Sequence, residues 1–246
     1  MPVFVANAAF ILAASAPLHA EVIALTKKVA ATTVQYKVVL PNGYDPTKTY
    51  PGILALAGGP QTMNAVDSLL TRNLRDEAEK RGYIVVAPEA PDELFFLGGE
   101  RIFPAFLKMI LVDYKIQDGK FHILGPSNGG IAALHVAARN PQYFLSVTAF
   151  PGYMWQPSEQ KLQAISKMCV FMYVGEYDAY RWHDEMQKEV DFLRSKGTLA
   201  RYTVEKDQSH RLGTLEGEQS PRLFDGFEES KKGCSQGATA SAGTAH

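Results

Sequence analysis

Residues 125–129 read Gly-Pro-Ser-Asn-Gly, a spacing that holds one serine between two glycines. The apolar run FHILG leads into this motif, and an alanine-rich run that predicts a helix over 127–140 follows it. The pattern fits the G-x-S-x-G turn, in which a serine stands on a tight strand-to-helix corner with its hydroxyl exposed. Glycines two positions before and after the serine leave space that side chains would fill. We therefore predict Ser127 as a nucleophile, and the alternative is a glycine-rich loop with an incidental serine.

A serine hydroxyl is a weak nucleophile that needs a base, and that base needs an acid to orient it. In the architecture that carries this motif, the acid and then the histidine follow the serine in loops after later strands. The run MCVFMYV ends in Gly-Glu-Tyr-Asp, so Asp178 is the predicted acid and Glu176 the weaker candidate. His210, in the loop after the last predicted strand, is the predicted base. The remaining histidines fit this role less well, because they lie near the chain ends, within the strand and helix around the serine, or at a pocket rim: His19, His246, His122, His135 and His183.

Acyl transfer also needs backbone N–H groups that stabilise the negatively charged tetrahedral intermediate. The N–H of Asn128, at the start of the predicted helix, is one candidate. The second should come from the loop Ala-Gly-Gly-Pro-Gln at 57–61, which follows the apolar run GILALA. Proline has no N–H, so Gly59 or Gly58 must supply it. The alternative for this loop is a plain Gly-Gly-Pro turn.

Strands and helices alternate along the chain, and the middle strands are apolar throughout. Such runs indicate a parallel sheet buried on both faces, in a three-layer α/β architecture. Two early strands with no helix between them, over 21–29 and 33–40, predict an antiparallel start. Further strands are predicted over 52–57, 83–88, 121–125, 144–151, 168–174 and 199–205, and helices over 66–81, 103–114, 127–140, 159–167, 182–196 and within 211–228.

The segments YDPTKTYPGILALAGGP, YIVVAPEAP, GPSNGG and VGEYD, followed by the loop of His210, resemble an α/β-hydrolase serine esterase. The resemblance covers most of residues 33–215 and is closest to the dienelactone-hydrolase-like, feruloyl-esterase and polyhydroxyalkanoate-depolymerase group. It implies an α/β-hydrolase fold with a mostly parallel central sheet flanked by helices. It also implies hydrolysis of carboxylic esters through a Ser-His-Asp triad and an acyl-enzyme, with no cofactor. Two positions depart from the pattern: Ala57 stands where a histidine is usual, and Pro126 where histidine, tyrosine or phenylalanine is common.

The expected site is open, because only residues 152–160 separate the strand after the serine motif from the next helix. That segment is too short for a lid domain and predicts a minimal cap or none. The loop over 92–103 is unusually apolar, and its phenylalanines either line the pocket or pack under their own loop. The predicted substrate-binding residues are Phe95, Phe96, Met154, Trp155, Tyr177 and Trp182.

The composition of the chain argues against several classes of binding partner. The 246 residues carry a net charge of −1 with no basic block, which argues against nucleic-acid binding, and no apolar stretch is long enough to span a bilayer. Without a CxxC motif or a Cys/His cluster, no metal site is expected. Cys169 is most simply a buried apolar residue, and a disulfide with Cys234 is the alternative. The expected partner is a small-molecule or polymeric ester, whose identity stays open, as does the oligomeric state.

The chain ends raise the question of targeting. We predict one hydrolase domain over 21–230 and a flexible polar tail over 231–246. Residues 1–20 are either a signal peptide, which predicts a secreted or periplasmic protein, or an N-terminal extension of a cytoplasmic one. Alternatives to an esterase are an acyl thioesterase or peptidase of the same fold, and a non-catalytic binding protein that kept the fold.

Overall fold

A computed structural model describes residues 22–235, which form an eight-stranded sheet with helices on both faces. The strands are β1 (Val22–Val29), β2 (Thr32–Val39), β3 (Tyr50–Ala55), β4 (Ile84–Pro88), β5 (Ile116–Gly125), β6 (Phe144–Ala149), β7 (Cys169–Gly175) and β8 (Ala200–Glu205). The helices are α1 (Met63–Leu69), α2 (Arg75–Arg81), α3 (Phe103–Asp113), α4 (Asn128–Arg139), α5 (Glu159–Ile165), α6 (His183–Ser195) and α7 (Pro221–Ser230).

The strands lie in the order β1-β2-β4-β3-β5-β6-β7-β8. The pairs β1–β2 and β2–β4 are antiparallel, and the pairs from β4 onward along the sheet are parallel. The predicted antiparallel start is therefore confirmed. Because β5, β7 and β8 run in the same direction, the loops that follow them emerge at the same edge of the sheet.

Successive residues of the central strands point into two separate cores, as the pleat of a strand requires. In β3, Ile53 packs into one apolar cluster and Leu54 into the other. In β5, Ile123 and Leu124 divide in the same way. Every residue of β4 is buried. This two-sided burial explains why these strands are apolar throughout, and it confirms the predicted mostly parallel sheet flanked by helices.

The helix predicted over 66–81 is interrupted by a π-helical turn, Leu70–Leu74, between α1 and α2. A π turn inserts one residue into a helix and shifts the face that the following side chains present. Gly82 ends the segment in the left-handed conformation, with φ of 78°, as its position after the last apolar residue predicts. The shift matters for the site, because this helix forms one wall of the main pocket.

The predicted flexible tail over 231–246 includes residues that the structure shows packed on the domain. Residues 231–235 are held against the domain, since Cys234 forms a disulfide with Cys169 of β7, and Thr198 pairs with Ser235 in an antiparallel bridge. The covalent bond, which the sequence left as an alternative, fixes this segment beside the sheet. The rest of the predicted tail and the predicted signal peptide lie outside the described residues. Within 22–235, no helix combines the length and apolarity needed to cross a bilayer.

Candidate active site

Ser127 stands at the corner between β5 and α4 in a backbone conformation that is unusual for a residue with a side chain. Its φ is 54° and its ψ is −124°. Such left-handed geometry costs about 1–3 kcal/mol and persists only where the surroundings hold it in place. The Ser127 N–H donates to the carbonyl of Pro151 at 2.8 Å, which fixes the corner from the neighbouring strand end. The side chain remains partly accessible.

The glycines around Ser127 are required by close backbone approach. A Cβ on Gly125 would lie 2.4 Å from the Leu56 carbonyl oxygen, and one on Gly129 would lie 2.0 Å from that same oxygen. Real Cβ atoms do not tolerate such distances. Both positions therefore accept only glycine, which confirms the predicted clearance. Gly130 has the same function toward Pro151, whose carbonyl oxygen would lie 2.4 Å from an added Cβ.

Ser127, His210 and Asp178 form one continuous hydrogen-bonded chain. The Nδ1 atom of His210 lies 3.0 Å from Oδ2 of Asp178, and its Nε2 lies 2.9 Å from Oγ of Ser127. A carboxylate can only accept, so Nδ1 carries the proton and donates it to Asp178. In neutral His210, Nε2 is then an acceptor, and the Ser127 hydroxyl donates to it. The three residues come from the ends of β5, β7 and β8, which the parallel sheet brings together.

Asp178 is fixed by its own turn. Its side chain is fully buried, and Oδ1 accepts the N–H of Tyr180 at 2.8 Å, which leaves Oδ2 for His210. Glu176, the weaker candidate, is exposed and accepts the N–H of Asp207 at 3.0 Å. It stabilises the turn before His210 and makes no contact with the imidazole. The geometry therefore favours Asp178 over Glu176 as the partner of His210.

Three other histidines within the described residues, His122, His135 and His183, make contacts away from Ser127. His122 is buried, stacks on Phe227 and bonds to Ser146 at 2.7 Å, and burial lowers its pKa to about 3. Burial also lowers the pKa of His135, which is packed near Glu100. His183 lies 3.2 Å from the hydroxyl of Tyr202 and is not among the residues that line the main pocket.

The backbone around Asn128 lies against the Gly58–Gly59 loop. Asn128 is the first residue of α4, so its N–H has no acceptor within the helix. Its side-chain amide donates to the Gly59 carbonyl at 2.8 Å and holds the two segments together. Gly59 has a positive φ of 57°, and a Cβ on Gly58 would lie 2.9 Å from the Pro126 carbonyl oxygen. The predicted donors thus lie on two segments in direct contact.

Gln61 is a residue of this loop whose structural importance the sequence did not reveal. It is fully buried with a φ of 54°, and its Oε1 accepts the N–H of Phe95 at 2.8 Å. Its carbonyl accepts the N–H of Ala90. Gln61 therefore connects the Gly58–Gly59 loop to the segment that follows β4. Nothing in the sequence signalled this, because a glutamine after Gly-Gly-Pro reads as an exposed turn residue.

A pocket of about 300 Å³ opens beside Ser127 and His210. One wall is α1 with its π turn, and another is the chain after His210. Asn73 of the π turn is buried and donates to the Leu215 carbonyl at 2.8 Å, so the two walls are joined. The lining residues are Gly58, Gly59, Pro60, Ala65, Ser68, Leu69, Arg72, Asn73, Pro126, Ser127, Phe150, His210, Arg211, Leu212 and Glu216.

Several predicted substrate-binding residues lie in the core and do not line this pocket. Phe95 is fully buried, with its ring 4.9 Å from that of Phe103. Phe96 is 8% exposed and packs on Trp155 at 5.3 Å. Met154 is fully buried and donates its N–H to Glu189. Of the two alternatives for the phenylalanines, packing under their own loop is the one observed.

Trp182 and Tyr177, the last two predicted residues, are also not among the residues that line this pocket. Trp182 packs edge-on against the imidazole, with ring centroids 5.0 Å apart. Tyr177 is 63% exposed on the turn that carries Asp178. Tyr180, which the sequence analysis missed, lies closer, with its ring 4.4 Å from that of His210. Its position two residues after Asp178 is the signal that could have indicated it.

Within residues 22–235, no group of three or more histidine, cysteine, aspartate or glutamate side chains has the arrangement of a metal site. The reactive groups that meet at the corner between β5 and α4 are the Ser127 hydroxyl, the His210 imidazole and the buried Asp178 carboxylate.

The model of the family Esterase, described as "Putative esterase", matches residues 106–220. That segment runs from α3 to the residue before α7 and contains Ser127, Asp178 and His210. No curated protein matches the chain in sequence.

Solved structures share the fold at low sequence identity. A mutant of the feruloyl esterase module from Clostridium thermocellum, complexed with sinapinate, is 16% identical with a TM-score of 0.71, over 94% of this chain and 93% of that one. A dienelactone hydrolase from Anabaena variabilis is 18% identical with a TM-score of 0.60, over 87% of this chain and 96% of that one. A thermostable esterase is 16% identical with a TM-score of 0.66, over 88% of this chain and 63% of that one.

The length of the match differs among these structures. The chain spans only 36% of a longer dipeptidyl aminopeptidase candidate from Bacteroides ovatus, and under two thirds of the thermostable esterase. The comparisons confirm the predicted resemblance to esterases of α/β-hydrolase fold. The match to the esterase model over residues 106–220 agrees with the predicted enzyme class, a carboxylic ester hydrolase.

Proposed function

We propose that this protein is a serine hydrolase that cleaves carboxylic esters through an acyl-enzyme intermediate. The observation that carries the proposal is the hydrogen-bonded chain from Asp178 through His210 to Ser127, beside a pocket open to substrate. Ser127 is the nucleophile, His210 the general base and then the general acid, and Asp178 the group that orients His210.

The first step is attack of Ser127 Oγ on the ester carbonyl carbon. Nε2 of His210, already 2.9 Å from Oγ, takes the hydroxyl proton as the new C–O bond forms. The resulting imidazolium is stabilised by the buried carboxylate of Asp178. The carbonyl oxygen becomes an oxyanion, for which we propose the N–H of Asn128 and that of Gly59 or Gly58 as donors.

The second step breaks the ester bond. The oxyanion re-forms the carbonyl, the bond to the alcohol oxygen breaks, and His210 gives its proton to the departing alcohol. An acyl group is then bound to Ser127. Water enters the vacated position, His210 takes a proton from it, and the same sequence releases the carboxylic acid and restores Ser127.

Disulfide chemistry bears on the compartment. Structural disulfides form and persist in oxidising environments and are rare in the cytosol. The bond between Cys169 and Cys234 therefore supports the secreted or periplasmic interpretation of the chain.

Labelling with a fluorophosphonate and turnover of 4-nitrophenyl butyrate test the proposal together. The wild type should be labelled and should turn over the ester with a burst of one 4-nitrophenolate per protein if deacylation is the slow step. Ser127→Ala should lose the label and lower kcat/KM by about 10,000-fold or more. Ser146→Ala, at the buried serine beside His122, should keep the label.

A wild-type protein that is folded, unlabelled and inactive on esters would overturn the proposal in favour of a non-catalytic binding protein. Faster turnover of acyl thioesters or peptides than of matched oxygen esters would instead indicate one of the other hydrolase activities of this fold.

A further inference from the structure

The main pocket contains an arginine that nothing in the proposed mechanism uses. Arg72 lies in the π turn Leu70–Leu74 and lines the pocket beside Ser127. Two other charged residues line the same space, Arg211 and Glu216. The charge balance of these three side chains decides what kind of substrate the pocket favours.

Arg211 and Glu216 neutralise each other. Nε of Arg211 donates to Oε1 of Glu216 at 2.7 Å, and its Nη2 donates to Oε2, so the pair is bidentate. Such fork-to-fork pairs use both oxygens of the carboxylate and the matching edge of the guanidinium. Neither charge is therefore available to a ligand without breaking the pair.

Arg72 forms no ion pair with an acidic side chain in the part of the chain that the structure describes. Its neighbour in sequence, Asn73, is buried and bonded to the Leu215 carbonyl, which anchors the π turn to the far wall. The backbone that carries Arg72 is thereby held at the pocket, and the exposed Arg72 side chain has no acidic partner within residues 22–235. The three charged residues Arg72, Arg211 and Glu216 together give the pocket lining one net positive charge.

Building on the proposed esterase function, we propose that this pocket binds esters that carry a second, anionic group, a carboxylate, and that Arg72 recognises it. A guanidinium offers a planar pair of N–H donors that matches the two oxygens of a carboxylate. A space of about 300 Å³ accommodates a short chain of carbons between the reacting ester and the carboxylate. The carboxylate can belong to the acid or to the alcohol of the ester.

Two matched pairs of substrates test this and separate the two sources of the carboxylate. In the first, the mono-4-nitrophenyl ester of adipic acid is compared with the same ester whose second carboxyl is methylated. In the second, 4-acetoxybenzoate is compared with 4-acetoxybenzamide. The measured quantity is the ratio of kcat/KM for the charged member to that for the neutral member.

We expect the wild type to favour the charged member of at least one pair, and added salt to reduce that preference. Arg72→Gln should lower the charged-to-neutral ratio about tenfold to a hundredfold, since a hydrogen bond between charged partners is worth about 1.5–3 kcal/mol. Arg75→Gln is the matched control: Arg75 lies one turn further along, pairs with Glu79 and does not line the pocket, and the ratio should be unchanged.

Failure of this proposal is distinguishable from failure of the proposed function. Neutral esters that are turned over with an equal or better kcat/KM than charged ones overturn the carboxylate site and leave the esterase intact, as does an unchanged ratio in Arg72→Gln. Calorimetric titration of adipate into Ser127→Ala, with and without Arg72→Gln, tests the site without turnover. Binding that is absent, or that is equal in both variants, overturns it.

Discussion

Asp178 determines which nitrogen of His210 carries the proton, and replacing its carboxylate with an amide tests this. Asp178→Asn keeps the size of the side chain but can place an N–H donor opposite Nδ1, where a carboxylate oxygen accepts at 3.0 Å in the wild type. The proton then moves to Nε2, which can no longer accept from Ser127. We expect kcat for ester hydrolysis to fall about 10,000-fold while the protein stays folded.

Glu176→Gln is the matched control for that experiment. It changes a carboxylate two residues away on the same turn that contacts Asp207 and not the imidazole. We expect its kcat to stay within about threefold of the wild type, as is typical of exposed substitutions. A loss in Glu176→Gln as large as that in Asp178→Asn would contradict the assignment of the acid.

At the residue scale, the sequence predicts best what depends on order along the chain. The sequence predicts Ser127, Asp178 and His210 because each of them follows a recognisable strand. Parallel strands bring the loops that follow them to one edge of the sheet. The sequence predicts Phe95 and Met154 as pocket residues because apolar side chains in a loop give the same pattern whether they line a cavity or fill a core. Only the packing around them decides, and here it places them inside.

At the element scale, α6 contains a buried carboxylate that makes stability depend on pH. Glu189 is 3% exposed and accepts the N–H of Met154, at 2.8 Å and 3.1 Å to its two oxygens. Burial raises the pKa of Glu189 from its ordinary value near 4.5 to about 8, the Met154 N–H acting against this and the charge of Glu185 adding to it.

This pKa fixes the direction of the effect. Below pH 4.5 the carboxyl is protonated in both states, so its contribution to stability is fully present. Between pH 4.5 and 8 the unfolded chain has lost the proton and the folded protein retains it, so the free energy of unfolding falls as pH rises. Across that window the loss is on the order of 5 kcal/mol.

Glu189→Gln removes the titration, and thermal unfolding at pH 5 and pH 8.5 detects it. We expect the difference in Tm, Glu189→Gln minus wild type, to be more positive at pH 8.5 than at pH 5. Glu185→Gln changes an exposed residue on the same helix, and its difference in Tm from the wild type should be nearly the same at pH 5 and at pH 8.5. Parallel pH profiles for the wild type and Glu189→Gln would contradict a raised pKa.

The π turn between α1 and α2 explains why the pocket wall was not predicted. The apolar spacing over 66–81 is consistent with one regular helix, in which the faces of Arg72 and Asn73 follow from a period of 3.6. The inserted residue changes those faces, and Asn73 becomes buried against Leu215. This contact joins the π turn to the chain after His210, and no local sequence pattern encodes it.

At the scale of the whole molecule, the disulfide closes a long loop. Cys169 and Cys234 are 65 residues apart, and cross-linking them restricts the unfolded chain by about 4 kcal/mol in the chain-entropy model. We expect Cys234→Ser to lower the free energy of unfolding in urea by about 2–4 kcal/mol. A reductant should lower the stability of the wild type and leave the Cys169→Ser/Cys234→Ser double variant unchanged.

An unchanged free energy of unfolding in Cys234→Ser would show that the C-terminal segment is held by its other contacts, such as the N–H of Leu199 donating to the Cys234 carbonyl at 2.7 Å.

The architecture as a whole was predictable because it follows from periodicity. Continuous apolar strands alternating with helices allow few arrangements other than a parallel sheet covered on both faces. The disulfide was not predictable, since two cysteines so far apart meet only if β7 and the segment after α7 lie side by side. That neighbourhood is a property of the assembled sheet.

The short segment between β6 and α5 has a consequence for the scale of molecule that this protein can attack. With no separate cover domain in the described part of the chain, only the ester and the few atoms around it need to enter the 300 Å³ space. The remainder of a substrate can project into solvent, so that selection depends on local chemistry near Ser127 and not on total size. A small dissolved ester and the free end of a long polyester chain would then place the same ester group against the Ser127 hydroxyl.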